Sequence, residues 1–268
     1  MSRFLTKTKE ILKEKLEGKK LPDVKSVLIG RKYLAVLLDT DLGVCYGPRK
    51  ESPTCTVFKD PGNMRKKHVL DLLEFVGSES LIERGIGIAT INALTQFYLH
   101  QNPENYNFYT DKDILKLLPL KKDIKVGMVG RIGPFIKFLA NHSAHLTIID
   151  DNPAFSEGKI QEGVEITRDI KKLKDVEILL LTGSSIVEHS IEKPLQIAQK
   201  ARFKSIIGPT SSWIPDISFD LGADVIGGMQ FFDPEAAFRT IMEGGGTRYF
   251  SKFADKYLLT KEPISNSK

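Results

Sequence analysis

Five short, mainly apolar runs in the second half of the chain each stop at a cluster of Gly, Asp, Ser or Thr. They are Ile124–Val129, Leu146–Ile149, Val176–Leu181, Lys204–Ile207 and Ala223–Ile226. Runs this short, bounded by turn-forming residues and separated by helical periodicity, read as buried strands paired in parallel through right-handed crossovers. The fold class expected is α/β: a Rossmann-like parallel sheet domain preceded by a smaller α+β domain. In open sheets of this kind, ligands sit outside the carboxyl ends of the strands. Those ends read Gly130-Arg131-Ile132-Gly133, Asp150-Asp151, Thr182-Gly183-Ser184-Ser185, Gly208-Pro209-Thr210-Ser211 and Gly227-Gly228. A binding site is expected along that rim.

The first half reads differently. Residues 3–17 put Phe4, Leu5, Thr8, Ile11, Leu12 and Leu16 on one side of a helix, with Lys and Glu opposite. Val24–Ile29, Tyr33–Leu38 and Leu42–Cys45, separated by tight turns, predict an antiparallel meander. Three prolines in 47–62 predict a long loop, with one short strand around Thr54–Phe58. Helical periodicity covers 66–76 and 86–100; a polar, aromatic stretch at 101–113 and a helix at 114–118 follow. Pro119 and Lys121-Lys122-Asp123 suggest a boundary, which divides the chain into an α+β domain at 1–120 and a Rossmann-like domain at 121–268. Helices are expected at 186–201, 234–244 and 250–258.

With 268 residues and 41% hydrophobic content, the chain can build a sizeable core in each half. No apolar stretch approaches the length of a bilayer span, so a cytoplasmic protein without a membrane partner is expected. The net charge of +5 lies in short, interrupted runs rather than in a continuous basic stripe, which argues against a nucleic-acid partner. Cys45 and Cys55 are too few for a disulfide framework or a cysteine-only zinc site, although a single bridge between them is open. Proteins of this organisation often form homo-oligomers, but no residue pattern names an interface.

The turn Gly130-Arg131-Ile132-Gly133 precedes a helix opened by Pro134, so Gly130, Arg131 and Gly133 would face the crevice. Asp150 lies seventeen residues past Gly133, where a Rossmann acid meets a ribose hydroxyl. The turn reads Gly127-x-x-Gly130-x-x-Gly133, not G-x-G-x-x-G, so a dinucleotide fits less well than a ligand without a pyrophosphate, such as S-adenosylmethionine. Thr182, Gly183, Ser184 and Ser185 form a second polar cradle, with Ser184 or Ser185 as a helix N-cap. Gly208 and Pro209 end the next strand. Arg248, after three glycines, is placed to clamp a carboxylate or phosphate. Glu188 and His189 are candidate metal ligands, but adjacent helical residues point about 100° apart and cannot share one ion without distortion. Asn92 stands in an otherwise apolar helix and needs a partner: either a backbone group or the inter-domain cleft. His68, His100, His142 and His145 show no metal-ligand spacing. No nucleophile elbow or base–nucleophile pair is present.

Six separated segments, in order, resemble the "putative heavy-metal chelation" family. They are Gly85-Ile86-Gly87-Ile88-Ala89-Thr90-Ile91-Asn92-Ala93-Leu94, Val126-Gly127-Met128-Val129-Gly130, Asp150-Asp151-Asn152-Pro153, Leu180-Leu181-Thr182-Gly183-Ser184-Ser185, Ile207-Gly208-Pro209-Thr210 and Glu243-Gly244-Gly245. The resemblance spans roughly residues 20 to 255. It implies an enolase N-terminal-like domain joined to a Rossmann-like one, with a site in the cleft between them. By position it assigns Asn92, Gly130, Asp150, Thr182, Gly183, Gly208 and Pro209 to that cleft. The family usually carries an Asn soon after the Thr-Gly turn; here Glu188-His189 stand in its place.

The functional expectation is a binding protein for a small anionic molecule or metal chelate, with a divalent metal or a nucleotide-type ligand as the cofactor alternatives. An enzyme using S-adenosylmethionine, with Asp150 on its ribose, is the principal rival. A scaffold or oligomerisation subunit is the third reading.

Overall fold

In the computed structural model, the described residues are 3–48, 58, 60–142, 145–188 and 191–264. Helix α1 (Arg3–Leu16) buries Phe4, Leu5, Thr8, Leu12 and Leu16, the face its spacing predicts. Strands β1 (Val24–Ile29), β2 (Tyr33–Leu38) and β3 (Leu42–Tyr46) form the antiparallel meander in the order β1-β2-β3. Every residue of β2 is buried, since one of its faces packs into the core shared with the helices of this half, and Met229, Phe231, Ala237, Ile241 and Phe250 from late in the chain cover the other. The short strand expected around Thr54–Phe58 falls almost wholly outside the described residues.

Helix α2 (Val69–Leu73) starts at a capping box made by His68 and Asp71. Helix α3 (Leu81–Gln101) begins at Ser80, whose hydroxyl accepts the Glu83 amide. Fourteen of its residues are buried, as befits a helix enclosed on all sides. It lies against the meander at backbone distance: a Cβ on Gly43 would sit 1.8 Å from the Ala89 carbonyl oxygen. One apolar core runs from α1 and the meander through α3 to one face of the large sheet.

That sheet has nine strands. Its first, β4 (Asn107–Tyr109), comes from the polar, aromatic stretch at 101–113. After α4 (Ile114–Leu117) come β5 (Lys125–Val129), α5 (Gly133–Ala140), β6 (His145–Ile149), β7 (Gly158–Gln161), β8 (Val164–Thr167) and β9 (Ile178–Thr182). Helices α6 (Ser185–Glu188) and α7 (Glu192–Ile197) lead to β10 (Phe203–Ile207), then α8 (Asp216–Asp220), β11 (Val225–Phe231), α9 (Pro234–Met242), α10 (Thr247–Phe250) and β12 (Ala254–Thr260). The spatial order is β4-β12-β11-β10-β9-β5-β6-β8-β7. Strands β8, β6, β5, β9, β10 and β11 are mutually parallel; taken in chain order they stand 3-2-1-4-5-6, the Rossmann arrangement. The opposite face is packed separately, with Val126, Met128, Ile148, Ile178 and Leu180 lying under Ile136 and Leu139 of α5.

Three expectations need correction, and one pair of strands was not expected at all. Residues 250–258 are not a helix: after the single turn of α10 the chain runs as β12, antiparallel to β11, because Tyr257–Leu259 bury into the sheet. The strand expected to stop at Gly227-Gly228 continues to Phe231. Those glycines are interior positions where a side chain has no room, since a Cβ on Gly228 would lie 2.4 Å from the Tyr257 ring. The helix expected over 186–201 is two short helices, α6 and α7. Finally, β7 and β8 form a hairpin that sequence periodicity did not reveal.

Candidate functional site

The parallel order reverses between β5 and β9: β5 crosses to β6 on one side, and β9 to β10 on the other. Crossovers that leave in opposite directions open a crevice at the strand ends. A cavity of about 340 Å³ occupies this point. Its floor is Val129-Gly130, Ile149-Asp150-Asp151 and Thr182, from the ends of β5, β6 and β9. Ser184, Ser185, Val187 and Glu188 of the α6 turn form one wall, with Lys193 and Pro194 beyond them. Arg168 and Ile170, after β8, form the other. Tyr46 and Gly47, at the end of the meander, close the cavity from the first half of the chain.

Local chemistry positions these groups. Gly130 sits at φ +78°, and a Cβ there would lie 2.3 Å from Thr182 Cγ2, so only glycine lets these strand ends approach. Its amide donates to the Ile149 carbonyl at 2.8 Å, joining the β5 end to the β6 end. Asp150 is 5% exposed; its amide donates to the Thr167 carbonyl, and its Oδ1 accepts the Asn152 amide at 2.9 Å. Thr182 Oγ1 and Ser184 Oγ lie 3.0 Å apart, and Ser185 Oγ donates to the Thr182 carbonyl at 2.8 Å. The serine hydroxyls thus fold back onto the end of β9. The Ser185 hydroxyl, expected to accept a helix amide, instead bonds this carbonyl. Arg168 grips Glu157 through its backbone amide and its guanidinium, which holds the Glu157 carboxyl below the usual range.

Of the positions assigned from sequence, Gly130, Asp150, Thr182, Ser184 and Ser185 come together in this lining. Others stand behind it. Gly183 allows close contact with Ser211, where a Cβ would meet backbone nitrogen at 2.6 Å. Gly208, at φ +125°, and Pro209 open the turn after β10. Asn92, expected to face the cleft or satisfy a backbone group, does the latter: fully buried, its Nδ2 donates to the carbonyls of Val44 at 2.8 Å and Thr210 at 2.9 Å. Arg131 is exposed and stacks 4.7 Å over the Phe155 ring, while Gly133 starts α5 in open space. Arg248 is exposed on α10 and absent from the lining, and its neighbour Thr247 bonds the Tyr33 hydroxyl at 2.6 Å. His189 lies outside the described residues.

Tyr46, Arg168, Ile170 and Lys193 were not legible as site residues. Tyr46 arrives only when the meander folds over the sheet, and Arg168 follows a strand hidden from periodicity. Gln96 was also missed. One turn beyond Asn92, its Nε2 donates to the Leu42 carbonyl at 2.8 Å, and its Oε1 accepts the Phe231 amide at 3.1 Å. Asn92 and Gln96 thus lace α3 to β3, to the turn after β10 and to β11.

Two family models, both described as "Putative heavy-metal chelation", match residues 9–95 and 113–260. The chain belongs to this family. An uncharacterized protein of Methanocaldococcus jannaschii, similar to this heavy-metal chelation family member, is 23% identical over 264 residues, with 94% of each chain covered. Crystal structures of proteins of unknown function, from the family matched by the second half, show the same fold. One from Pyrococcus horikoshii has a TM-score of 0.76 at 20% identity, covering 96% of this chain and 99% of its own. Another, from Desulfitobacterium hafniense, has a TM-score of 0.73 at 19% identity, covering 96% and 99%.

The family description names a metal, and the donor set among the described residues does not fit a resident one. Among the described residues, no three His, Cys, Asp or Glu side chains gather to hold an ion. Cys45 is buried, and burial pushes its thiol pKa up, away from the thiolate that binds soft metals. Cys55 lies outside the described residues, so the expected possibility of a bridge has no structural answer. The described histidines are engaged elsewhere: His68 caps α2, His100 faces Asp41 at 3.0 Å, His142 meets the Phe138 carbonyl, and His145 faces Asp123. No helix among the described residues is long and apolar enough to cross a membrane.

Proposed function

We propose that this protein binds a small polar molecule, or a metal already wrapped in an organic chelator, in the cavity between the meander and the ends of β5, β6 and β9. One observation carries the reading. A hollow of about 340 Å³, lined by apolar and polar residues side by side, opens at the switch point of a Rossmann-ordered sheet and is closed by Tyr46 from the other half. The absence of a three-donor cluster among the described residues favours a chelate over a bare ion. A chelate brings most of its own ligands and asks the protein only for shape and a few hydrogen bonds.

Native mass spectrometry of the purified protein, followed by calorimetric titration with divalent metals alone and with their citrate complexes, tests this. A copurified small molecule, or heat from the complex but not from the bare metal, is expected. No bound mass and no heat from any titrant would count against the reading.

A further inference from the structure

We infer that the chain forms a two-fold homodimer through the outer face of α9, which packs antiparallel against the same helix of a second copy. The exposed apolar residues point to this face. Among the described residues, four large hydrophobic side chains are exposed, and three of them, Phe232 (64%), Met242 (57%) and Tyr249 (58%), fall within the one segment 232–249. Apolar residues scattered singly over a surface are ordinary, whereas a concentration of them marks an interaction surface.

The fold explains why they face outward. Helix α9 covers the meander, with Ala237 and Ile241 joining Tyr33, Leu37 and Val44 in one core. Glu235, Arg239 and Met242, at i, i+4 and i+7, form a single exposed stripe opposite those buried positions. Helix α10 is locked beside α9: Phe250 is fully buried with its ring 5.0 Å from that of Tyr33, and the Thr247 and Tyr33 hydroxyls lie 2.6 Å apart. Tyr249, between Thr247 and Phe250, is therefore presented to solvent on a rigid support.

The order of residues along the stripe selects the partner. Counting outward from Ala237, Glu235 stands two positions before and Arg239 two positions after, while Phe232 stands five before and Met242 five after. An antiparallel copy related by a two-fold axis beside Ala237 sets Glu235 against the partner's Arg239 and Phe232 against the partner's Met242, and every such match occurs twice. A parallel pairing would oppose like charges. Both charges are available for the purpose. Arg239 is exposed and makes no ion pair among the described residues, and Glu235 meets Lys25 at 3.4 Å in an exposed pair of the kind that contributes little. None of these residues lines the cavity, so the pairing does not depend on what binds there.

Sedimentation velocity of the full chain over ~1–100 μM, a range that includes the weaker protein interfaces, tests the pairing. Wild type should be a dimer at the upper end. Glu235→Arg and Arg239→Glu each oppose like charges at two symmetric places, so each alone should weaken the dimer by roughly 10- to 100-fold. Mixed in equal amounts they should recover it, because one chain then presents two cations and the other two anions. Met242→Asp, which removes an apolar contact at both ends of the stripe, should weaken the dimer at least as far. All three positions are exposed, and matching far-ultraviolet circular dichroism shows that the compared chains are folded. A wild-type monomer throughout that range overturns the inference and leaves the face to a different partner. A dimer unaffected by Met242→Asp overturns it too, as does a mixture of the two charge variants that dimerises no better than its components.

Discussion

Replacing Asn92 with Ala separates a structural role for this residue from a role at the ligand. Its Nδ2 donates to two backbone carbonyls, Val44 in β3 and Thr210 after β10, from a helix position with no exposed surface. The amide orientation follows from the chemistry, since the flipped group would set an oxygen against two carbonyl oxygens. Truncation leaves both carbonyls without this donor in a place water does not reach. Each orphaned buried acceptor costs about 1–3 kcal/mol, and a carbonyl with a second lone pair falls toward the lower end, so about 3 kcal/mol is expected in total. At roughly 2–4 °C per kcal/mol for a chain near this length, the melting temperature should fall by on the order of 10 °C.

Asn92→Asp should be at least as damaging at neutral pH, because a carboxylate would then face the two carbonyls. Thr95, one turn away, is the internal control: its hydroxyl is buried with no hydrogen-bond partner among the described residues, so Thr95→Val should be neutral or slightly stabilising. Differential scanning calorimetry reads all three. If Asn92→Ala melts within about 2 °C of wild type, the clasp argument is refuted. If it stays stable yet loses the ligand, Asn92 returns to the cleft to which the family resemblance assigned it.

Three further outcomes are expected. Gly130→Ala must hold a left-handed backbone and meet Thr182 at 2.3 Å, so a loss of about 2–4 kcal/mol is expected in urea unfolding; adding Thr182→Ser, which removes the clashing methyl, should restore part of it. Glu74 is held below the usual carboxylate range by hydrogen bonds from Lys13 and Lys9. Its contribution is therefore present above the unfolded value of about 4.3 and lost as pH falls through the lower folded value; because the side chain is half exposed, Glu74→Gln should change stability at pH 7 by less than about 1 kcal/mol and have less effect still at pH 2. Burial raises the pKa of Tyr33, Tyr106 and Tyr257. Their protonated forms are favoured in the fold, so stability is intact below about pH 10 and declines above it; phenolate absorbance from these rings should appear together with loss of helical circular dichroism, and a gradual, non-cooperative titration near pH 10 would contradict the burial.

The sequence by itself determined the elements whose evidence is local. Apolar runs ending in Gly, Asp or Thr located β5, β6, β9 and β10, because a strand buried on both faces writes its burial directly into consecutive residues. The same rule located Gly130, Asp150 and Thr182 on one rim, since parallel strands carry all their carboxyl ends to one side. Helices α1 and α3 were legible from spacing and composition.

Tertiary structure alone decided what depends on distant segments meeting. Residues 254–260 became β12 because β11 offered a free edge, which no local pattern records. Asn92 became a clasp because Thr210, 118 residues further along, brings a carbonyl to it. Tyr46 reached the cavity by the same means: the meander folds over strand ends that lie more than eighty residues later, and its role is set by where its strand ends in space. Side-chain identity states which bonds a residue can make; the fold decides which partners stand opposite it.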